Sequence, residues 1–275
     1  GVRRFRPLAG GTADLGQVAF QDGAVREERS VAPLVVRVPG ALHAVSPQLA
    51  ERFGQRYPGV DVVVLPPSPS GMLAQAVLEG EPADVIVSAS RAYLILLAEV
   101  GFADPPVTIA GNRLVGIVHP RLEDRPEGLV GMLRPGLRLV LSQPVTDPCG
   151  QYIREAFERA GLLAQLREKG QRGELAFRRG SLGLIEAVAS GEADGAVLYA
   201  SEAAHSGLVT VPLEPPVDLA DRIAFCATVM TRTREREAAE AFVSFLLDRE
   251  GQMLLGQAGF IPVVREEPGS DGRSD

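Results

Sequence analysis

Short runs of continuous hydrophobic residues alternate along this chain with segments whose hydrophobic positions recur at helical spacing. The run Leu34-Val35-Val36-Arg37-Val38 reads as a buried strand. Ser46-Pro47 then offers a cap followed by proline in the first helical turn, and Leu49, Phe53 and Tyr57 at i, i+4 and i+8 share one helical face. The same two patterns predict strands over 60–65, 84–87, 114–118, 137–141, 195–198 and 223–230. They predict helices over 72–78, 93–100, 152–160 and 184–189, and one long helical region over 234–255. This alternation with short connections implies parallel sheets covered by helices. In open sheets of that kind ligands bind beyond the carboxyl ends of the strands, so the strand-to-helix turns are the places to search.

Four turns join an extended segment to a helix start through Gly, Pro or Ser. They are Pro39-Gly40-Ala41-Leu42-His43, Pro67-Ser68-Pro69-Ser70-Gly71, Thr146-Asp147-Pro148-Cys149-Gly150 and Gly180-Ser181-Leu182-Gly183. A helix N-terminus presents unpaired N–H groups and the positive end of a dipole, which suits an anion. Ser68, Ser70 and Ser181 could add hydroxyl donors, although a serine at a helix start is equally a plain N-cap. Asp147 before proline is a cap candidate too, and beside a bare anion its carboxylate repels unless it is protonated, turned away or bound to a metal centre. Cys149 lies where a helix start lowers a thiol pKa, yet no histidine neighbours it in sequence. Gly111-Asn112-Arg113-Leu114 reads as turn chemistry ahead of a strand, and His43 as an exposed helix-start residue.

Composition narrows the class. The chain has 275 residues, 45% hydrophobic and 23% charged, enough for one large or two modest domains with a sizeable core. The 28 basic residues, all arginine except Lys169, stand against 35 acidic ones for a net charge of −7, which weighs against a nucleic-acid partner. Net acidity does not oppose an anionic ligand, because local dipoles and hydroxyls set affinity at such a site. No apolar run approaches the ~18 residues of a membrane span, and residues 1–32 hold no stretch resembling a signal peptide. No Ser-His-Asp set, no paired carboxylates at helical spacing and no cofactor motif are present, so binding without turnover, and without a cofactor, is expected. Residues 1–33, rich in Gly and Arg, read as an N-terminal arm, and 266–275 as a disordered tail.

The order of the four turns and the text around them resemble the molybdate- and tungstate-binding proteins of ABC importers. The most specific stretches are Met72-Leu73-Ala74 through Glu79-Gly80-Glu81-Pro82-Ala83-Asp84-Val85, Asp147-Pro148-Cys149-Gly150, and Gly191-Glu192-Ala193-Asp194 running into Val197-Leu198-Tyr199-Ala200-Ser201-Glu202. Gly259-Phe260-Ile261-Pro262 closes the C-terminal helix as it does in that family. The resemblance implies a class II periplasmic-binding-protein-like α/β fold, with two lobes and a hinge of two crossing strands. One lobe is expected over 34–115 plus 226–265 and the other over 116–225, with crossings near Gly116–His119 and Phe225–Thr228. Cys149 and Cys226 fall in different lobes or at a hinge, which argues against a bond between them.

The resemblance also implies a site. A serine of the first family turn falls on Ala41, which lacks the hydroxyl, and the second on Ser70. Backbone N–H donors fall on Cys149 and Ser181, and a tyrosine hydroxyl on Tyr199. In archaeal tungstate-type members the aspartate of the Asp-Pro-Cys-Gly motif can contact the metal centre, which falls on Asp147; their second acidic ligand falls near Leu198, where no acid stands. The implied activity is capture of molybdate or tungstate by lobe closure, in the periplasm or outside the cell, with or without a membrane tether. Delivery would be to an ABC permease, by a monomer. Two other readings stay open: a different small anion, because of Ala41, and a sensor module on the same fold.

Overall fold

In a computed structural model, which describes residues 32–144 and 147–263, every predicted strand forms within two residues of its expected bounds. The first stretch runs β1 (Leu34–Arg37), a 3-10 turn (Gly40–Leu42), α1 (Ser46–Arg56), β2 (Val62–Val64), α2 (Ser70–Leu78), β3 (Val85–Ser88), α3 (Arg91–Glu99) and β4 (Val107–Gly111). The middle runs β5 (Leu114–Val118), α4 (Gly128–Gly131), β6 (Leu139–Ser142), α5 (Pro148–Arg159), α6 (Leu163–Gln171) and β7 (Leu175–Arg178). It continues with α7 (Gly180–Ala189), β8 (Gly195–Tyr199), α8 (Ala200–Ala203) and β9 (Val209–Pro212). The last stretch is β10 (Ala224–Val229), α9 (Arg236–Leu246), α10 (Arg249–Gln257) and β11 (Ile261–Pro262). The expected arm and tail lie outside the described residues, apart from 32 and 33.

The strands form two sheets, one per lobe. The first has the order β11-β4-β10-β3-β1-β2, the second β7-β6-β8-β5-β9. Both are mixed, where the alternation alone suggested parallel sheets. In the first, β1 runs parallel to β2 and β3, while β10 is antiparallel to β3 and β4. In the second, β6 runs parallel to β7 and β8, while β5 is antiparallel to β8 and β9. Apart from the two-residue β11, which is antiparallel to β4, the reversed strands are those that arrive from the other lobe. A chain that enters a sheet from the cleft must run away from it, against neighbours that run toward it.

The crossings occupy Asn112-Arg113 and residues 213–223, not the strand interiors at 116–119 and 225–228. β5 and β10 are each paired along their length within a single sheet. A paired strand has committed its N–H and C=O groups to that ladder, so the change of lobe falls in the links that precede it. The two links are tied to each other: the Asn112 N–H donates to Ile223 O at 3.1 Å and the Leu114 N–H to Asp218 O at 2.7 Å. Asn112, the single asparagine of the chain, is fully buried there. Its Nδ2 donates to Ser201 Oγ at 2.9 Å and its Oδ1 accepts from the Arg113 N–H at 2.9 Å. Its role is thus wider than the turn read from sequence, because it anchors the start of α8 to the crossing.

The C-terminal helical region divides at Leu247-Asp248. Asp248 caps α10 by accepting from the Gly251 N–H at 2.9 Å, and α10 then packs back beside α9. The first lobe's core is centred on Phe53 of α1, whose ring lies 5.1 Å from Phe242 and 5.7 Å from Phe245 of α9, both edge-on. Cys149 and Cys226 are both free and buried.

Asn112→Ala is expected to destabilise the protein by about 1–3 kcal/mol, since it leaves the Arg113 N–H unpaired and strips Ser201 of a buried donor. Urea denaturation followed by circular dichroism measures this.

Candidate functional site

The residues that follow β1, β2, β3, β6, β7 and β8 meet around one cavity of about 180 Å³ between the lobes. That is below the roughly 300–1,000 Å³ of pockets for drug-sized ligands, and it suits a small ion. Ala41, Ser68, Ser70, Asp147, Cys149, Ser181 and Tyr199 all line it. His43 does not, and stays exposed.

Three of the four turns are themselves the first turns of helices, which is why α2, α5 and α7 begin earlier than hydrophobic periodicity suggested. Ser70 opens α2 and is buried, and its Oγ accepts from the Ala89 N–H at 3.0 Å. With a lone pair so used, its own proton is available to the cavity. Gly180 opens α7 at φ 68°, a left-handed conformation that glycine adopts without strain, and this turns the Ser181 side of the helix toward the cleft. Ala41 sits in the 3-10 turn and contributes a methyl group where a serine would contribute a hydroxyl.

Asp147 is the N-cap of α5: Oδ1 accepts from the Cys149 N–H at 3.0 Å and Oδ2 accepts from the Ser142 hydroxyl. Both carboxylate oxygens are engaged within the chain, so contact with a metal centre would require exchanging these bonds. The Cys149 N–H is spent on the same cap, so an anion there shares or replaces the Asp147 bond. Gly150 completes the motif for a packing reason, since a Cβ on it would lie 2.5 Å from Gln143 O. The Cys149 thiol is buried, and burial, reinforced by the Asp147 charge, pushes its pKa well above the ordinary value. Desolvation outweighs the helix-start effect and favours the protonated thiol.

Tyr199 ends β8 with only 3% of its surface exposed, edge-on to Phe225 of β10 at 5.5 Å. Its hydroxyl is buried without a hydrogen-bond partner among the described residues. Burial holds its pKa well above the ordinary 10, so the residue brings a protonated hydroxyl to the wall of the cavity.

Sequence reasoning did not place Glu202 or Arg179 in the site. Arg179 precedes α7 and is exposed at the cavity's edge. Glu202 follows Tyr199 by one helical turn, and that spacing is the signal that could have found it. The residue is half-buried as a whole, but Oε2 is sealed from solvent without a hydrogen-bond partner among the described residues. Burial pushes its carboxyl up to about 8; the Ser181 hydroxyl beside it opposes the shift and the Asp147 charge adds to it.

The family of bacterial extracellular solute-binding proteins matches residues 34–261. The chain belongs to this family. Among its relatives, the molybdate-binding protein ModA of Mycobacterium tuberculosis is 27% identical over 229 residues, spanning 82% of this chain and 84% of that protein. The periplasmic molybdate-binding protein of Azotobacter vinelandii has a similar structure, with a TM-score of 0.71 at 24% identity, covering 85% of this chain and all of that one. The sulfate-binding protein SubI of Mycobacterium tuberculosis shares the fold at a TM-score of 0.66 and 17% identity, over 84% and 86% of the two chains. The two-lobed class II periplasmic-binding-protein fold is therefore that of this solute-binding protein. Among the described residues no helix is long and apolar enough to cross a membrane.

The Glu202 shift makes stability depend on pH. The folded protein holds this proton up to about pH 8, whereas the unfolded chain releases it near the ordinary 4.5. The stabilisation is complete below that ordinary value and is lost as pH rises through about 8. The ligand-free protein is thus expected to lose stability over that window, and Glu202→Gln to flatten the slope. Denaturation midpoints over a pH series test this.

Proposed function

We propose that this solute-binding protein captures a tetrahedral oxyanion, molybdate or tungstate, in the interlobe cleft and hands it to an ABC permease. The observation that carries the reading is the convergence of neutral donors, the Ser70, Ser181 and Tyr199 hydroxyls with the starts of α2, α5 and α7, on one small cavity. Neutral donors fixed by secondary structure bind a dianion without the reorganisation that flexible cations need, and each helix start adds its dipole. The names of the relatives support the choice of anion. The two lobes, divided at Asn112-Arg113 and at 213–223, would close over it, each contributing part of the shell. The protein would act as a monomer outside the cytoplasmic membrane, free or tethered, and would carry out no reaction on its ligand.

Asp147 serves here as the fixed cap that orients the Cys149 end of α5. A second reading, a different small anion such as sulfate, is favoured by one observation, the methyl group of Ala41 in a serine place. A lost neutral hydrogen bond is worth about 0.5–1.5 kcal/mol, enough to alter preference among anions of similar shape.

Thermal-shift titration with molybdate, tungstate, sulfate and phosphate separates these readings. Molybdate and tungstate are expected to raise the melting temperature most, and no shift with either would remove the assignment. Ser70→Ala is expected to weaken the affinity for the preferred anion by roughly three- to tenfold. An unchanged calorimetric isotherm would take Ser70 out of the shell.

A further inference from the structure

Glu202 stands outside the donors just described, yet it occupies the same cavity. A Cβ on Gly40 of the first lobe would lie 3.8 Å from Ser181 Oγ and 3.9 Å from Glu202 Oε1, so the second lobe presents both groups together to the first. Oε2 is sealed from solvent with no hydrogen-bond partner among the described residues, and so is the hydroxyl of Tyr199 one turn earlier. Buried polar atoms in native proteins are nearly always paired, and two unpaired ones on residues that line one cavity point to a ligand that completes the bonding.

The groups facing Glu202 decide its charge state. Asp147 and Cys149 approach from α5, Tyr199 from its own segment, Ser181 from α7 and Arg179 from the edge of the cavity. Asp147 accepts from the Ser142 hydroxyl and the Cys149 N–H. A second negative carboxylate beside it would repel any dianion, and the exposed Arg179 is the one cation among the described lining residues.

We propose that Glu202 is a proton-bearing donor, a neutral carboxylic acid whose O–H binds one bare oxygen of a tetrahedral dianion, so that the cleft takes up the anion together with a proton. The idea rests on the oxyanion reading of the cleft and deepens it, by making Glu202 a specificity-determining residue for fully deprotonated anions. Burial supports it by raising the carboxyl to about 8, while the raised values of Cys149 and Tyr199 keep those groups protonated in the same range. When the free site is ionised, the proton comes from solvent: carboxylate, proton and dianion combine into acid and bound dianion, with no bond in the anion broken. Affinity must then fall with rising pH once the free carboxyl ionises, approaching tenfold per pH unit.

Calorimetric titration of molybdate and tungstate into the full chain tests this, at about pH 6 and about pH 9, each in two buffers of different ionisation enthalpy. The expected result is almost no proton uptake at the lower pH, uptake approaching one proton per anion at the higher, and weaker binding there. Glu202→Gln, which keeps an amide donor, is expected to bind without proton uptake and with an affinity that no longer depends on pH. Pairing of the wild-type measurement with this variant guards against a variant that fails to fold, because the wild-type proton count decides by itself. Binding by the wild type with no uptake at the higher pH overturns the inference, and so does a glutamine variant with the wild-type pH profile. Proton release at the lower pH overturns it too, by making Glu202 a carboxylate that contacts the ligand directly. Those outcomes leave the oxyanion reading in place, whereas failure of both anions to bind at either pH removes that reading and this inference together.

Discussion

The arrangement depends on two strands that run the wrong way. β5 and β10 are antiparallel to the strands beside them because each enters its sheet from the far side of the cleft. The strands that run against them, β1 and β3 in the first sheet and β6 and β8 in the second, deliver their carboxyl ends to the same gap from opposite sides. Without that reversal the four turns would face different solvents, and each would be an ordinary helix cap. The bonds between the two links, Asn112 to Ile223 and Leu114 to Asp218, hold the reversal in register.

Given that frame, the electrostatics of the cleft follow from burial more than from net charge. The groups that meet there are hydroxyls and helix starts, which suit an anion even in an acidic protein, and its two cleft carboxyls stand in different surroundings. Asp147 is satisfied by the Cys149 N–H and the Ser142 hydroxyl, which hold its carboxylate in place. Glu202 lacks such donors around Oε2, so burial favours its protonated form. Two acids in one cavity thus differ, Asp147 accepting the hydrogen bonds that shape α5 and Glu202 favoured in its protonated form.

Much of the architecture was legible in sequence, because strand and helix periodicities are local properties. The strands at 114–118 and 195–198 could be read from continuous hydrophobic runs that are buried on both faces. β4 and β7 have half-exposed or exposed positions and no clean alternation, and β9 alternates over only four residues, too few for a clear strand signal. The helix starts at Ser70, Pro148 and Gly180 were placed too late because their first turns carry polar and small residues, which periodicity does not register. At the site, the motif residues Ser70, Asp147, Cys149, Ser181 and Tyr199 could be named from the turns and the family resemblance, and all of them line the cavity. Arg179 and Glu202 lie outside the four turns, and only the one-turn spacing of Glu202 from Tyr199 pointed to either of them.

The sequence by itself determined which segments fold into strands and helices, where helix starts could receive an anion, and the likeness to a family of solute-binding proteins. Tertiary structure alone decided the direction of β5 and β10, the burial of Asn112 at the crossing and the meeting of the turns. It also decided the charge of the groups between them. Periodicity and capping are set by residues a few positions apart and can be read along the chain. A pKa or an unpaired hydroxyl is set by what stands across the cleft, as Asp147 and Ser181 stand beside Glu202, residues distant in the chain and adjacent only once both sheets have formed.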